Sequence, residues 1–166
     1  ADRGDSPSSG KMARHTDIML LQYTSGSTGK PKGIAVTMDA MVLHLDLLRT
    51  MVIASEESVF LSWLPYYHDM GMIAMMFLPT FCGARCVLIA PQLFMADPSV
   101  WIRGVSAFKA TISGAPNFAY DLSLKSMHSM SESDLSKLDF SSLRRLFSGA
   151  EAINFTTLVQ FCDEAK

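Results

Sequence analysis

The stretch Tyr23-Thr24-Ser25-Gly26-Ser27-Thr28-Gly29-Lys30-Pro31-Lys32-Gly33 places three glycines, four hydroxyls and two lysines within eleven positions. Glycine has no Cβ, so a glycine-rich backbone can approach a ligand closely. Successive backbone N–H groups and hydroxyls make a concave donor surface suited to phosphate oxygens. Lys30 and Lys32 add positive charge where a polyphosphate would depart. The spacing does not fit a Walker A loop, which needs Gly, four residues, then Gly-Lys followed by Ser or Thr. Here Gly26 stands three residues before Gly29, and Lys30 is followed by Pro31. A flexible Gly/Ser linker shares the composition. Linkers seldom lie between two apolar strands, however, or end in Lys-Pro-Lys-Gly.

Three more stretches place reactive or small residues at element boundaries. Ser62-Trp63-Leu64-Pro65-Tyr66-Tyr67-His68-Asp69-Met70-Gly71 ends a strand, turns at a proline and presents His68 and Asp69 before an apolar run. From chemistry alone His68 is an acid/base group, a charge partner of Asp69, or a polar turn residue. Ala110-Thr111-Ile112-Ser113-Gly114-Ala115-Pro116-Asn117-Phe118-Ala119-Tyr120-Asp121-Leu122 reads as strand, small-residue turn and helix. Its small residues suit either close ligand approach or plain helix–sheet packing. Phe147-Ser148-Gly149-Ala150-Glu151-Ala152-Ile153 is a second strand-end turn, in which Glu151 would favour the N-terminus of the following helix.

These four stretches together resemble the motifs of the adenylate-forming (AMP-binding, acyl-activating) superfamily, and most of all those of fatty-acyl-AMP ligases. The resemblance spans Asp17 to Lys166. It implies a fold: an α/β piece of the large N-terminal domain, with a mostly parallel sheet flanked by helices. It implies an activity of the parent protein: a fatty acid and ATP give acyl-adenylate and pyrophosphate. The acyl group then passes to the phosphopantetheine thiol of an acyl carrier protein, as in polyketide or lipopeptide assembly. The family's phosphate loop corresponds to Thr24, Ser25, Gly26, Ser27, Thr28 and Gly29 with Lys32. The adenine-side turn corresponds to Gly149, Ala150 and Glu151. His68, Asp69, Gly71, Gly114, Ala115 and Pro116 border the acid, and Thr28, Lys32 and His68 carry the catalytic expectation. Asp69 favours the AMP-ligase subtype, because acyl-CoA synthetases usually carry another residue there. Tyr66 stands where these ligases commonly have Leu, and Ala152 replaces a customary Pro. The family's magnesium-holding Glu, its ribose-binding Asp and its C-terminal lysine are expected beyond Lys166. The alternatives are an acyl-CoA synthetase using CoA and a non-catalytic module of the same fold kept for binding or scaffolding.

Positioning these loops requires alternating elements. Strands are expected at Ile18 to Tyr23, Ile34 to Thr37, Val59 to Trp63, Arg85 to Ala90, Ala110 to Ser113 and Leu143 to Phe147. Helical spacing of Met41, Leu45, Leu48 and Val52 predicts a helix over Asp39 to Ile53. Met70 to Phe81 is apolar on nearly all sides, as in a buried helix. Its methionines suit a pliable wall for an alkyl chain, though ordinary core filling is the simpler reading. Asp97-Pro98 opens a helix to about Phe108, another runs from Pro116 to about Met127, and Asn154 caps a last one. Ser129 to Asp139 reads as a polar connection. This alternation predicts a largely parallel sheet covered on both faces, with ligands at strand carboxyl ends. Ala1 to Thr16 is expected to be a linker or frayed end, and residues 17–166 a partial adenylation domain cut at both ends.

The composition narrows the remaining classes. The chain has 166 residues, 49% hydrophobic, with a net charge of −2. That is enough material for a core and gives no electrostatic footprint for nucleic acid. Cys82, Cys86 and Cys162 read as buried or half-buried free thiols. A metal pair at Cys82 and Cys86 lacks the partners to complete it. No secretion signal and no transmembrane run is visible, so a cytoplasmic location is expected. His15, His44 and His128 are expected to face solvent.

Overall fold

The computed structural model describes residues 13–24 and 31–165. They form two compact units, one up to Asp46 and one from Leu47. In the first, β1 (Ile18–Thr24) and β2 (Lys32–Thr37) pair antiparallel, with Thr24 opposite Lys32 and Tyr23 opposite Gly33. β2 begins two residues earlier than expected, because Lys32 and Gly33 find pairing partners at the end of β1. Ahead of β1, Arg14 and Asp17 form an ion pair at 2.9 Å. Backbone and side-chain donation from Arg14 holds the Asp17 carboxyl below its usual range.

Helix α1 (Met38–Val52) follows. Met41 and Leu45, four apart on one face, are buried. Ile53, in a left-handed conformation at φ 52°, ends it, with Ala54 N–H donating to the Arg49 carbonyl.

The second unit holds a sheet of β3 (Val59–Ser62), β4 (Arg85–Leu88), β5 (Ile112–Ala115) and β6 (Arg145–Ser148). Its order is β4-β3-β5-β6, parallel throughout. Parallel neighbours need crossovers, which helices supply. Central β5 is buried along its whole length, whereas edge strand β4 is largely exposed. The helices are α2 (Leu78–Cys82), α3 (Pro91–Ala96), α4 (Ser99–Phe108), α5 (Asn117–His128), α6 (Glu132–Leu135) and α7 (Phe155–Glu164). Trp101 anchors the core. It meets Phe94, Tyr120 and Phe161 at centroid distances of 6.2, 5.2 and 5.8 Å. Its indole N–H donates to Ser113 Oγ, which donates to the Leu61 carbonyl, so these two buried polar groups are satisfied.

Several expectations are corrected. The stretch expected as one buried helix from Met70 to Phe81 is a π-helix, Met70–Phe77, followed by α2. Pro79 near the start of α2 cannot donate a backbone hydrogen bond, so the ladder restarts there. Within these two helices only Gly71, Met75, Leu78 and Pro79 are buried; Met70, Met72 and Met76 are half-buried. α3 was not expected, and Pro91 at its start is the local signal for it. β5 and β6 each start two residues late because Thr111 is used as a bracket. Its hydroxyl accepts from Val59 N–H, and its carbonyl accepts from the N–H groups of Arg144 and Arg145. The polar connection contains α6, capped by Ser131. Cys86 and Cys162 are exposed, not buried or half-buried, and Cys82 is half-buried. Burial of its thiol against the Met75 carbonyl still pushes the Cys86 pKa up. As expected, Asp97 accepts from Ser99 N–H at the start of α4 and the three histidines are exposed. No described helix is long and apolar enough to cross a membrane.

Candidate functional site

A parallel sheet brings the carboxyl ends of its strands to one edge. The loop after β3 leaves through Trp63, which stacks on Phe94 at 3.8 Å and meets Phe118 edge-on at 6.0 Å. Tyr66 and Tyr67 are exposed and edge to face. His68 Nδ1 lies 2.8 Å from Asp69 Oδ1, with both side chains more than half exposed. Of the three readings of His68, the geometry displays the pairing with Asp69. That carboxylate also accepts from Met70 N–H at 2.7 Å and so caps the π-helix. Gly71 is required by close approach: a Cβ there would lie 2.2 Å from the Pro65 carbonyl oxygen. π-turns occur frequently at functional sites, and this one opens at the His-Asp pair.

At the end of β5, a Cβ on Gly114 would lie 2.5 Å from the Phe147 ring on β6. Ala115 is buried and Pro116 is extended, leading into α5. Tyr120 on α5 donates its hydroxyl to the Phe147 carbonyl at 2.5 Å, and burial raises its pKa. At the end of β6, Gly149 leads to Ala150, which is left-handed at φ 68°, and to Glu151. A Cβ on Gly149 would lie 3.5 Å from Met70 Sδ, so the start of the π-helix adjoins this turn. Glu151 accepts from Phe118 N–H at 2.7 Å. It therefore serves the N-terminus of the preceding helix α5, not the following helix as expected. The following helix α7 is capped by Asn154, whose side chain accepts from Thr156 and Thr157 N–H.

The structure thus gathers Gly71, Gly114, Ala115, Pro116, Gly149, Ala150 and Glu151, with the His68-Asp69 pair, around the ends of three strands. Thr24 ends β1 opposite Lys32, which opens β2 and is exposed. Ser25, Gly26, Ser27, Thr28 and Gly29 lie outside the described residues. The strand ends offer an orphaned polar atom: Ser148 Oγ is buried with no hydrogen-bond partner among the described residues. That suits a polar ligand at the β6 turn. Among the described residues no group of His, Cys, Asp or Glu could hold a metal ion. Sequence reasoning missed Asn117, whose side chain accepts from Asn154 N–H at 2.8 Å. A bond across 37 positions leaves no local signal.

Glycine-bearing turns at the carboxyl ends of a parallel sheet, in a chain that also carries a run of glycines, hydroxyls and lysines over residues 24–33, define an α/β class whose candidate site lies at the strand ends. The AMP-binding enzyme family matches residues 2–164, and the chain belongs to that family. It is 35% identical over 149 residues to the medium-chain-fatty-acid–[acyl-carrier-protein] ligase TtuA of Teredinibacter turnerae, covering 90% of this chain and 23% of TtuA. It is also 35% identical over 152 residues to a 4-hydroxyphenylalkanoate adenylyltransferase of Mycobacterium marinum, covering 90% of this chain and 24% of that protein. Among solved structures it is similar to a fatty acyl-adenylate ligase from L. pneumophila in complex with acyl adenylate and pyrophosphate. There the TM-score is 0.82 at 37% identity, over 91% of this chain and 26% of that one. The chain therefore spans about a quarter of the length of the relatives it matches.

Proposed function

We propose that the protein containing this chain activates a fatty acid with ATP. A carboxylate oxygen attacks the α-phosphorus, an O–P bond forms, and the bond to the β-phosphate oxygen breaks, releasing pyrophosphate. The carboxylate of an acid in place and a phosphate chain held in line need no protein nucleophile, so the protein contributes positioning and charge stabilisation. Thr24 to Gly29 and Lys32 would hold and neutralise the departing pyrophosphate. His68, Asp69, Gly71 and Gly114 to Pro116 would border the acid, and Gly149 to Glu151 the adenine. Magnesium would balance phosphate charge, with its ligands outside this chain. The acyl group would pass to the phosphopantetheine thiol of an acyl carrier protein, in line with the activity in TtuA's name. The relatives' names pair fatty and arylalkanoic acids with one scaffold, so the acyl side is where their sites must diverge. CoA as acceptor is the second reading, because a fatty-acid–CoA ligase name also occurs among the relatives. A cytoplasmic location suits all of these substrates.

The observation that carries the reading is the meeting of three motif turns at one edge of the sheet, with Met70 against Gly149 and Glu151 against Phe118. The test is pyrophosphate exchange by the full-length protein. Lys32→Ala and Thr28→Ala are expected to slow adenylation at least about tenfold with little change in acid affinity, because both act on charge that develops as pyrophosphate leaves. Unchanged adenylation with collapsed acid affinity would refute the phosphate assignment.

A further inference from the structure

We infer that Glu151 is a positioning residue that ties the acid-side turn to the nucleotide-side turn, so that losing it loosens both subsites together. The inference rests on the fatty-acid-activating reading above. Its basis is a crossed pair of bonds between two elements that are remote in sequence. Glu151, in the turn after β6, accepts from the backbone N–H of Phe118 in the first turn of α5. In the reverse direction, Asn117 at the start of α5 accepts from the backbone N–H of Asn154 at 2.8 Å. Each side chain satisfies a backbone donor of the other segment.

Two further bonds close the same seam. Tyr120 Oη donates to the Phe147 carbonyl, and Thr157 Oγ1 donates to Asp121 Oδ1 at 2.8 Å. Asn117 is buried, whereas Glu151 is exposed. The buried half of the seam is therefore structural, and Glu151 is the half whose loss the fold can survive.

The first four N–H groups of a helix have no partner within it. A carboxylate accepting one of them is also favoured by the positive helix end. Glu151 fills that role for α5, whose preceding residues Gly114 to Pro116 form the acid-side turn. Its own neighbours Gly149 and Ala150 form the nucleotide-side turn, and left-handed Ala150 is a conformation that persists only where the surrounding contacts hold it. A shift of one turn is thus transmitted to the other, and of the four bonds across the seam the Glu151–Phe118 bond is the one made by an exposed carboxylate beside the turn itself. A glutamate that merely touched the adenine would serve only the nucleotide.

The experiment compares Glu151→Ala and Glu151→Gln in the full-length protein. KM for ATP and for the fatty acid are measured by pyrophosphate exchange, and amide exchange is followed at Phe118. Glu151→Ala is expected to raise both KM values about tenfold, the loss expected of a hydrogen bond to a charged group, and to abolish protection of the Phe118 amide. Glu151→Gln keeps an acceptor oxygen and is expected to stay within about threefold of wild type with that amide still protected. A rise confined to the KM for ATP would overturn the inference in favour of direct nucleotide contact. So would equal loss in both variants, or an unchanged Phe118 amide in Glu151→Ala. Wild-type protein without exchange for any acid would instead refute the proposed activity, and the amide measurement would still decide whether the tie exists.

Discussion

At the residue scale, the glycines of the motifs are not equivalent. A methyl group at Gly71 would meet a backbone oxygen, which cannot move aside without shifting the Pro65 turn, whereas at Gly149 it would make ordinary contact with a flexible methionine sulfur. Gly71→Ala is accordingly expected to destabilise by about 1–3 kcal/mol, with Gly149→Ala close to neutral. Chemical denaturation of the two variants side by side checks this, and equal effects would refute the contact argument. The turns of the candidate site were legible in the sequence at this level for a definite reason. Small residues at strand ends are a local pattern, and local patterns survive in one dimension. Glu151 shows the opposite case. A carboxylate ahead of a helix reads as serving that helix, but Asn154 already caps α7, which leaves Glu151 to the helix 33 positions earlier.

At the element scale, caps and brackets decide boundaries. Asn154 accepts two N–H groups of α7 with its side chain. Asn154→Ala is therefore expected to cost about 1 kcal/mol, while Asn154→Asp is expected to retain most of the stability. Thermal unfolding of both variants checks this, and an equal fall in Tm for the two would remove the cap from the account. The Asp139–Lys109 pair, at 2.5 Å, ties the end of α4 to the connection before β6 and holds the Asp139 carboxyl well below its usual range. With a depressed folded pKa, the stability it contributes is present above the unfolded value of about 3.9 and is lost as the pH falls through the folded one. Asp139→Asn is expected to flatten that acid limb slightly, because both partners are exposed. A limb as steep as wild type in acid titration of stability would contradict this. Where sequence periodicity failed, as at Met70 to Cys82, the cause was a residue-count effect. An unbroken apolar run carries no mark of where i+4 pairing yields to i+5, and only Pro79 signals the restart.

At the scale of the whole molecule, the proposed chemistry asks for more groups than the described residues display. Adenylation concentrates negative charge on a departing pyrophosphate, and about a tenfold rate change accompanies each 1.4 kcal/mol of stabilisation withheld. The described residues offer strand-end turns, the His68-Asp69 pair and the exposed Lys32, and no group able to hold a metal ion. The relatives are about four times as long as this chain. On the proposed function, the groups that hold the ribose, the metal and the α-phosphate would lie outside the described residues. The 166-residue chain by itself is therefore expected to catalyse no pyrophosphate exchange with any fatty acid, while the longer protein does so. Radiolabelled pyrophosphate incorporation into ATP measures both under identical conditions. Clear exchange by the isolated chain would show that these turns suffice for the chemistry, and the division of labour argued here would be wrong. Exchange by the longer protein alone, lost again in Lys32→Ala, would place this segment at the phosphate end of a site that other segments complete.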